Sequence, residues 1–261
     1  MVRAKQRVRV TAESADDLPP GAIERPPMDV AQRPVLDLGF PAFNGEVDNA
    51  LVGALPRFPS NRLKYNLTWS TEGLINEYLN PCEALVEGQM LSLPALEHLE
   101  RITVDGVQYE AFNTSGGVGS LAESLRGRAR NVHYKTIRYP GHNELIKFLL
   151  EDMGMREQRA ELQRIFERSL PATAQDQVVV FVNATGTVNG QFLERSYAST
   201  LLHREIDGLP WSAIQITTAA GVCGVLDLLL EGNLPKKGFV RQEEVCYEDF
   251  IANRFGRHYA Q

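Results

Sequence analysis

Two dipeptides do most to limit what this chain can fold into. Asp105-Gly106 separates residues 102–104 from 107–112, and Asn189-Gly190 separates the apolar run 178–182 from residues 192–201. Asp-Gly and Asn-Gly supply the positive φ angles of a two-residue hairpin turn, so each marks a pair of antiparallel strands. Between them, residues 133–139 alternate as a strand and Pro140-Gly141 breaks it. Leu145, Ile146, Leu149, Leu150 and Met153 then recur at helical spacing. Upstream, Ser70 and Thr71 with Glu72 open a capped helix carrying Leu74, Ile75 and Tyr78. Residues 156–169 read as a charged amphipathic helix with Leu162, Ile165 and Phe166 on one face, and Glu161 paired with Arg164 on the other. Residues 212–230, apolar almost all round and ending at Gly232, read as a core helix. Strands and helices alternate too irregularly for a doubly wound sheet, so the expectation is α+β.

The first stretch has a different character. Residues 1–50 hold Pro19, Pro20, Pro26, Pro27, Pro34 and Pro41, clustered acids and almost no periodicity, which predicts a tail or linker before a folded part at 51–261. On that reading, removing residues 1–50 costs little stability. The whole chain of 261 residues has a globular composition, 43% hydrophobic and 23% charged, and no apolar run is read as membrane-spanning. Its net charge of -6 argues against nucleic acid and anionic membranes as partners, so an anionic ligand needs a local cluster of cations. Cys82, Cys223 and Cys246 are too few and scattered for disulfides or zinc, and no metal is expected. The N-terminus lacks the apolar core of a signal peptide, which points to the cytoplasm and makes the triplets at Asn66, Asn113 and Asn183 chance matches.

Two stretches invite chemistry. Gly117, Gly119 and Ala122 form a G-x-G-x-x-A run after a strand, the pattern that lets a backbone approach a pyrophosphate. An NAD site calls for an acid about twenty residues on, where this chain has Ile137 and Arg138; Arg138 facing a 2'-phosphate would select NADP. The other reading is a Gly-rich turn near a substrate. Asn113, Thr114 and Ser115 before Gly117 lack the first glycine and the triad of a serine hydrolase. In the second stretch, Thr136 and Arg138 share one face of a strand, and a hydroxyl beside a guanidinium suits a carboxylate. His142 follows at a helix start, where the dipole lowers an imidazole pKa and attracts anions. The competing reading is a solvated basic strand and a capping histidine.

The segments "YNLTWSTEGLINEYLNP", "AFNTSGGVGSL", "YKTIRYPGHNELIKFL" and "TTAAGVCGVLDLLL", in this order and followed by "GFVRQEEV" and "NRFGRHYA", resemble the C-terminal half of the saccharopine dehydrogenase family, including bacterial lysine 6-dehydrogenase-like members. The resemblance covers residues 51–261. It implies a mixed β-sheet with helices packed on it, a substrate-binding and dimer-forming domain, and oxidation of a CH–NH bond with NAD or NADP as cofactor. In the family the cofactor sits in an N-terminal Rossmann domain, for which residues 1–50 offer no fingerprint. The expectation is therefore a substrate half that depends on a Rossmann-domain polypeptide.

By resemblance, Thr136, Ile137 and Arg138 match the family's substrate-contacting T-x-R stretch, with Asn113, Thr114 and the catalytic candidate His142 lining the same cleft. Gly117 and Gly119 then fall to a substrate-side turn, because the family's fingerprint lies in the other half. The region that reads "AFNTSGG" lacks an arginine found in fungal saccharopine reductases, which favours a substrate other than saccharopine within the expected range of lysine, saccharopine or a related amine or dicarboxylate. Replacing Arg138 is expected to abolish ligand binding and leave the fold intact. The alternatives are a non-catalytic ligand-binding or interaction module from a truncated or split dehydrogenase, and a self-sufficient NADP protein.

Overall fold

A computed structural model describes residues 44–260 except 189; the Pro-rich residues 1–43 lie outside the described residues. The first element corrects the sequence reading. Strand β1 (Asn44–Pro56) contains the boundary drawn between residues 50 and 51, so the folded part begins earlier. There follow α1 (Thr71–Leu79), β2 (Cys82–Val86), β3 (Gln89–Leu93), β4 (Glu100–Val104), β5 (Val107–Asn113) and the short α2 (Leu121–Ser124). Then come β6 (Ala129–Arg138), α3 (His142–Lys147) running into a π-helical turn (Phe148–Asp152), α4 (Arg159–Ser169), β7 (Asp176–Val188) and β8 (Gln191–Leu202). The chain ends with β9 (Arg204–Ile206), β10 (Leu209–Trp211), α5 (Ala213–Leu230) and α6 (Tyr247–Ala252).

The sheet is mixed, in the order β3-β2-β6-β1-β7-β8, with β5 and β4 continuing from the C-terminal part of β6. β1 is parallel to β6 and antiparallel to β7, so it lies at the centre. Asp105 and Gly106 take φ of 50° and 77°, the turn geometry expected between β4 and β5. Cross-strand partners share a face, and Phe112 opposes Thr136 while Ala111 opposes Ile137. Around β5 and β6 both faces are covered. Phe112 joins a core with Tyr65, Leu74, Tyr78 and Ile146, under α1, α3 and α4. Ala111 and Ile137 join Leu51, Val104, Tyr109 and Val179 on the other side. There the β4–β5 hairpin folds back as a strap whose tip accepts a hydrogen bond from Thr200 at Asp105 Oδ2, 3.3 Å.

The helices follow their caps. Ser70 Oγ accepts the Gly73 N–H and starts α1, as the Ser-Thr-x pattern predicts. Gly154 at φ 65° and a 3-10 turn delay α4 to Arg159, three residues later than expected, yet Leu162 and Phe166 are buried and Arg164 pairs with Glu161. α5 starts at a capping box of Ser212 and Gln215. Buried Asp176 also accepts the Ala213 and Ile214 N–H groups there. The core-helix expectation holds on one side only, for Val222, Leu226 and Leu230 are exposed. By length and mean hydropathy of 1.7, α5 does meet the measure of a spanning helix that the sequence reading denied; half of it is buried in the fold.

Candidate functional site

Arg138 ends β6 with its side chain under α1, and 2% of the residue is exposed. Its Nε donates to the Tyr78 hydroxyl (3.0 Å), and Nη1 donates to Thr136 Oγ1 (2.7 Å) and the Ile137 carbonyl (2.9 Å). Nη2 donates to Glu77 Oε2 at 3.1 Å. The aromatic rings of Tyr65 and Tyr78 flank the guanidinium at 5.2 and 5.8 Å. A charge this deep is tolerable because it is paired and hydrogen-bonded.

His142 completes the chain of bonds. Its Nδ1 lies 2.9 Å from the Leu63 carbonyl, which can only accept, so Nδ1 carries the proton. Nε2 is then the acceptor for the Tyr78 hydroxyl at 2.8 Å. Burial, reinforced by the Arg138 charge, pushes the imidazole pKa down to about 3, and burial raises that of the Tyr78 phenol. Both ring nitrogens are spent inside the protein. His142 therefore holds Tyr78, which holds Arg138, and offers no lone pair to a substrate.

The start of α3 does attract an anion, as the dipole argument predicted. That anion is internal: Glu110, 5% exposed, accepts the Gly141 and Asn143 N–H groups at 2.8 and 2.6 Å.

The sequence candidates divide between the faces. Thr136 and Arg138 share one, as expected, and are bonded to each other. Ile137 lies in the core on the opposite side. Asn113 opposes Lys135 in the register, also on the side away from Arg138. Lys135 is paired with Glu100 at 3.2 Å. Thr114, 2% exposed, has a buried Oγ1 with no hydrogen-bond partner. Next to it, Ser115 ties the β5 end to α1, donating from N–H to the Glu77 carbonyl (3.1 Å) and from Oγ to the Asn76 carbonyl (3.0 Å).

The glycine run has a packing explanation. A Cβ at Gly117 would lie 1.9 Å from the Tyr134 ring, and Gly119 takes φ of 58° beside Gln242. The helix after it, α2, has four residues, too few for a dipole that holds a pyrophosphate. Glu243, 1% exposed, accepts hydroxyls of Ser120 and Ser124 and pins this loop to the C-terminal segment. These residues do not fit a dinucleotide.

Glu77, Tyr65 and Tyr78 are the members of the site that sequence reasoning did not assign to it. Glu77 immediately precedes Tyr78, which was read only as part of the apolar face of α1; an acid at the edge of such a face is the signal that could have found it.

Comparison with solved structures finds the same fold in apo saccharopine dehydrogenase (L-Glu forming) from Saccharomyces cerevisiae, with a TM-score of 0.60 and 14% identity, covering 80% of this chain. The chain spans 64% of that yeast protein. The family described as the saccharopine dehydrogenase C-terminal domain matches residues 38–257, taking in β1 and every element of the cluster around Arg138, and the chain belongs to that family.

Proposed function

We propose that this chain is the substrate-binding part of an NAD(P)-dependent amino-acid dehydrogenase that oxidises a CH–NH bond of lysine, saccharopine or a related amine. The observation that carries the reading is the buried guanidinium of Arg138, fixed in orientation by Tyr78 and Thr136 within a member of this family. Arg138 anchors a substrate carboxylate, and Thr136 keeps the guanidinium in place. No side chain can accept a hydride, and hydride transfer needs donor and acceptor carbons held roughly 3–3.5 Å apart. The nicotinamide is therefore held by a Rossmann-type cofactor domain outside these 261 residues, on the same polypeptide or on a partner. The full chain alone is expected to show no turnover of lysine or saccharopine with NAD or NADP, and to gain it when the cofactor domain of a saccharopine dehydrogenase is added. Turnover by the chain alone would establish the self-sufficient reading instead. Ligand binding without turnover in the mixture would favour the non-catalytic module.

We also propose a homodimer formed along the outer edge of β8. Among the described residues this strand pairs only with β7, and a long open edge is a template for another strand. The strand is nearly symmetric about Tyr197: Phe192, 73% exposed, and Leu202, 41% exposed, stand five residues to either side. Antiparallel self-pairing there sets Phe192 against Leu202 and Leu193 against Leu201. It also sets Glu194 against Thr200 and Arg195 against Ser199, whereas centring on Glu194 or Arg195 opposes like charges. Sedimentation is expected to show a dimer that Phe192→Glu converts to monomer. A dimer unaffected by that change, or a wild-type monomer, removes the proposal.

A further inference from the structure

We propose that Val52 and Val180 form the floor on which the aliphatic chain of a carboxylate ligand lies, so that the site takes unbranched acids long enough to cross from β6 to β7. This rests on the reading of Arg138 as carboxylate anchor and adds what selects the rest of the molecule.

The register places this floor. Val52 of β1 opposes Thr136 on β6 and Val180 on β7. Partners in register share a face, and the alternate residues Leu51, Ile137 and Val179 pack together on the other one. Thr136, Val52 and Val180 therefore form one row across three adjacent strands. The guanidinium lies at the head of that row. Nη1 of Arg138 is 2.7 Å from Thr136 Oγ1, and the same hydroxyl donates to the Val52 carbonyl at 3.2 Å.

Burial singles out the two valines. On the face away from Arg138 the middle of the sheet is dry, with Leu51, Ile137 and Val179 each 0% exposed. On the Arg138 face, Thr136 is 1% exposed, yet Val52 and Val180 are only half-buried. The helices account for the difference. The core under α1, α3 and α4 covers the row at its Phe112 and Tyr78 end, whereas α5 meets the sheet through Ala213 at Val178 and Leu201, a cluster that Val52 and Val180 only border. An apolar surface left wet beside a buried cation fits a ligand with a charged head and an apolar chain, because each methylene laid on it leaves water. Neighbouring strands lie about 4.8 Å apart, so the row from Thr136 to Val180 is roughly 10 Å long. A chain of the length of hexanoate or lysine, with its carboxylate on Arg138, covers both valines, and acetate leaves them bare.

Calorimetry on the full chain with acetate, butanoate and hexanoate tests this. Affinity is expected to rise by about fourfold for each methylene added along the series. Val180→Thr and Val52→Thr keep the β-branched shape that suits a strand and replace one methyl with a hydroxyl. Each is expected to shrink those steps and to leave the affinity for acetate unchanged; with one change on β7 and the other on β1, either variant carries the measurement if the other does not fold. Equal affinity for the three acids, or undiminished steps in both variants, would overturn the floor and leave Arg138 as anchor. Hexanamide has the same chain without the charge, and it is expected to bind about tenfold or more weakly than hexanoate. If it binds as tightly as hexanoate, and the threonine variants weaken both alike, the anchor reading falls and the floor stands. No binding of any of the three acids removes both.

Discussion

A chain lacking residues 1–50 is expected not to fold, whereas a chain lacking only residues 1–37 keeps a cooperative unfolding transition. The longer deletion removes the first half of β1, the central strand. It strips Asn44, Gly45, Glu46, Asn49 and Ala50 from their partners on β7, and Gly45, Val47 and Ala50 from theirs on β6. Each backbone hydrogen bond lost is worth about 1 kcal/mol net. Several together, with two neighbouring strands left with bare edges, match the roughly 5–15 kcal/mol that holds a domain folded. The shorter deletion spares β1 and the whole family match. Circular dichroism against temperature decides the matter. A cooperative transition in the longer deletion would show that the sheet does not need the start of its middle strand.

Arg138→Met is expected to lower stability by about 3–5 kcal/mol, the usual cost of breaking a buried ion pair by removing one partner. The change takes the Arg138 donors from the Glu77 carboxylate, the Tyr78 hydroxyl, Thr136 Oγ1 and the Ile137 carbonyl. This corrects the expectation that Arg138 can be replaced with the fold intact, and it means that lost binding in such a variant is informative only beside an unfolding curve. Urea denaturation of Arg138→Met, Glu77→Gln and the double variant measures the coupling. A loss below about 1 kcal/mol for Arg138→Met would mean that the pair is exposed to water in solution.

The hairpins, the capped α1 and the strand-turn-helix unit around Pro140 were legible because turn and cap chemistry is local: Asp105-Gly106 and Ser70 act on residues two or three positions away. The start of β1 was not legible. Its register shifts between Glu46 and Asn49, and again before Ala50 on the β6 side, and a bulge erases the two-residue alternation that marks a strand. At the site, the alternation of β6 correctly put Thr136 and Arg138 together. It could not show that the helix partners of Arg138, Glu77 and Tyr78, come from α1, or that His142 of α3 holds Tyr78, because these meet only through the packing of helices on the sheet. The glycine run suggested a cofactor by its spacing, yet Gly117 answers to the ring of Tyr134, a strand away.

The place of β1 at the middle of the sheet has a consequence for how the chain is made. As synthesis proceeds from the N-terminus, β1 appears before every other described strand, and its partners come much later: Leu51 meets Lys135 on β6 and Phe181 on β7, both in the second half of the chain. Pairings so distant in sequence form slowly. At roughly 5–20 residues per second, the nascent β1 waits several seconds with both edges open until the last of its neighbours leaves the ribosome. The interval of greatest exposure for this fold is therefore set by the clock of translation, before the sheet exists to protect its own centre.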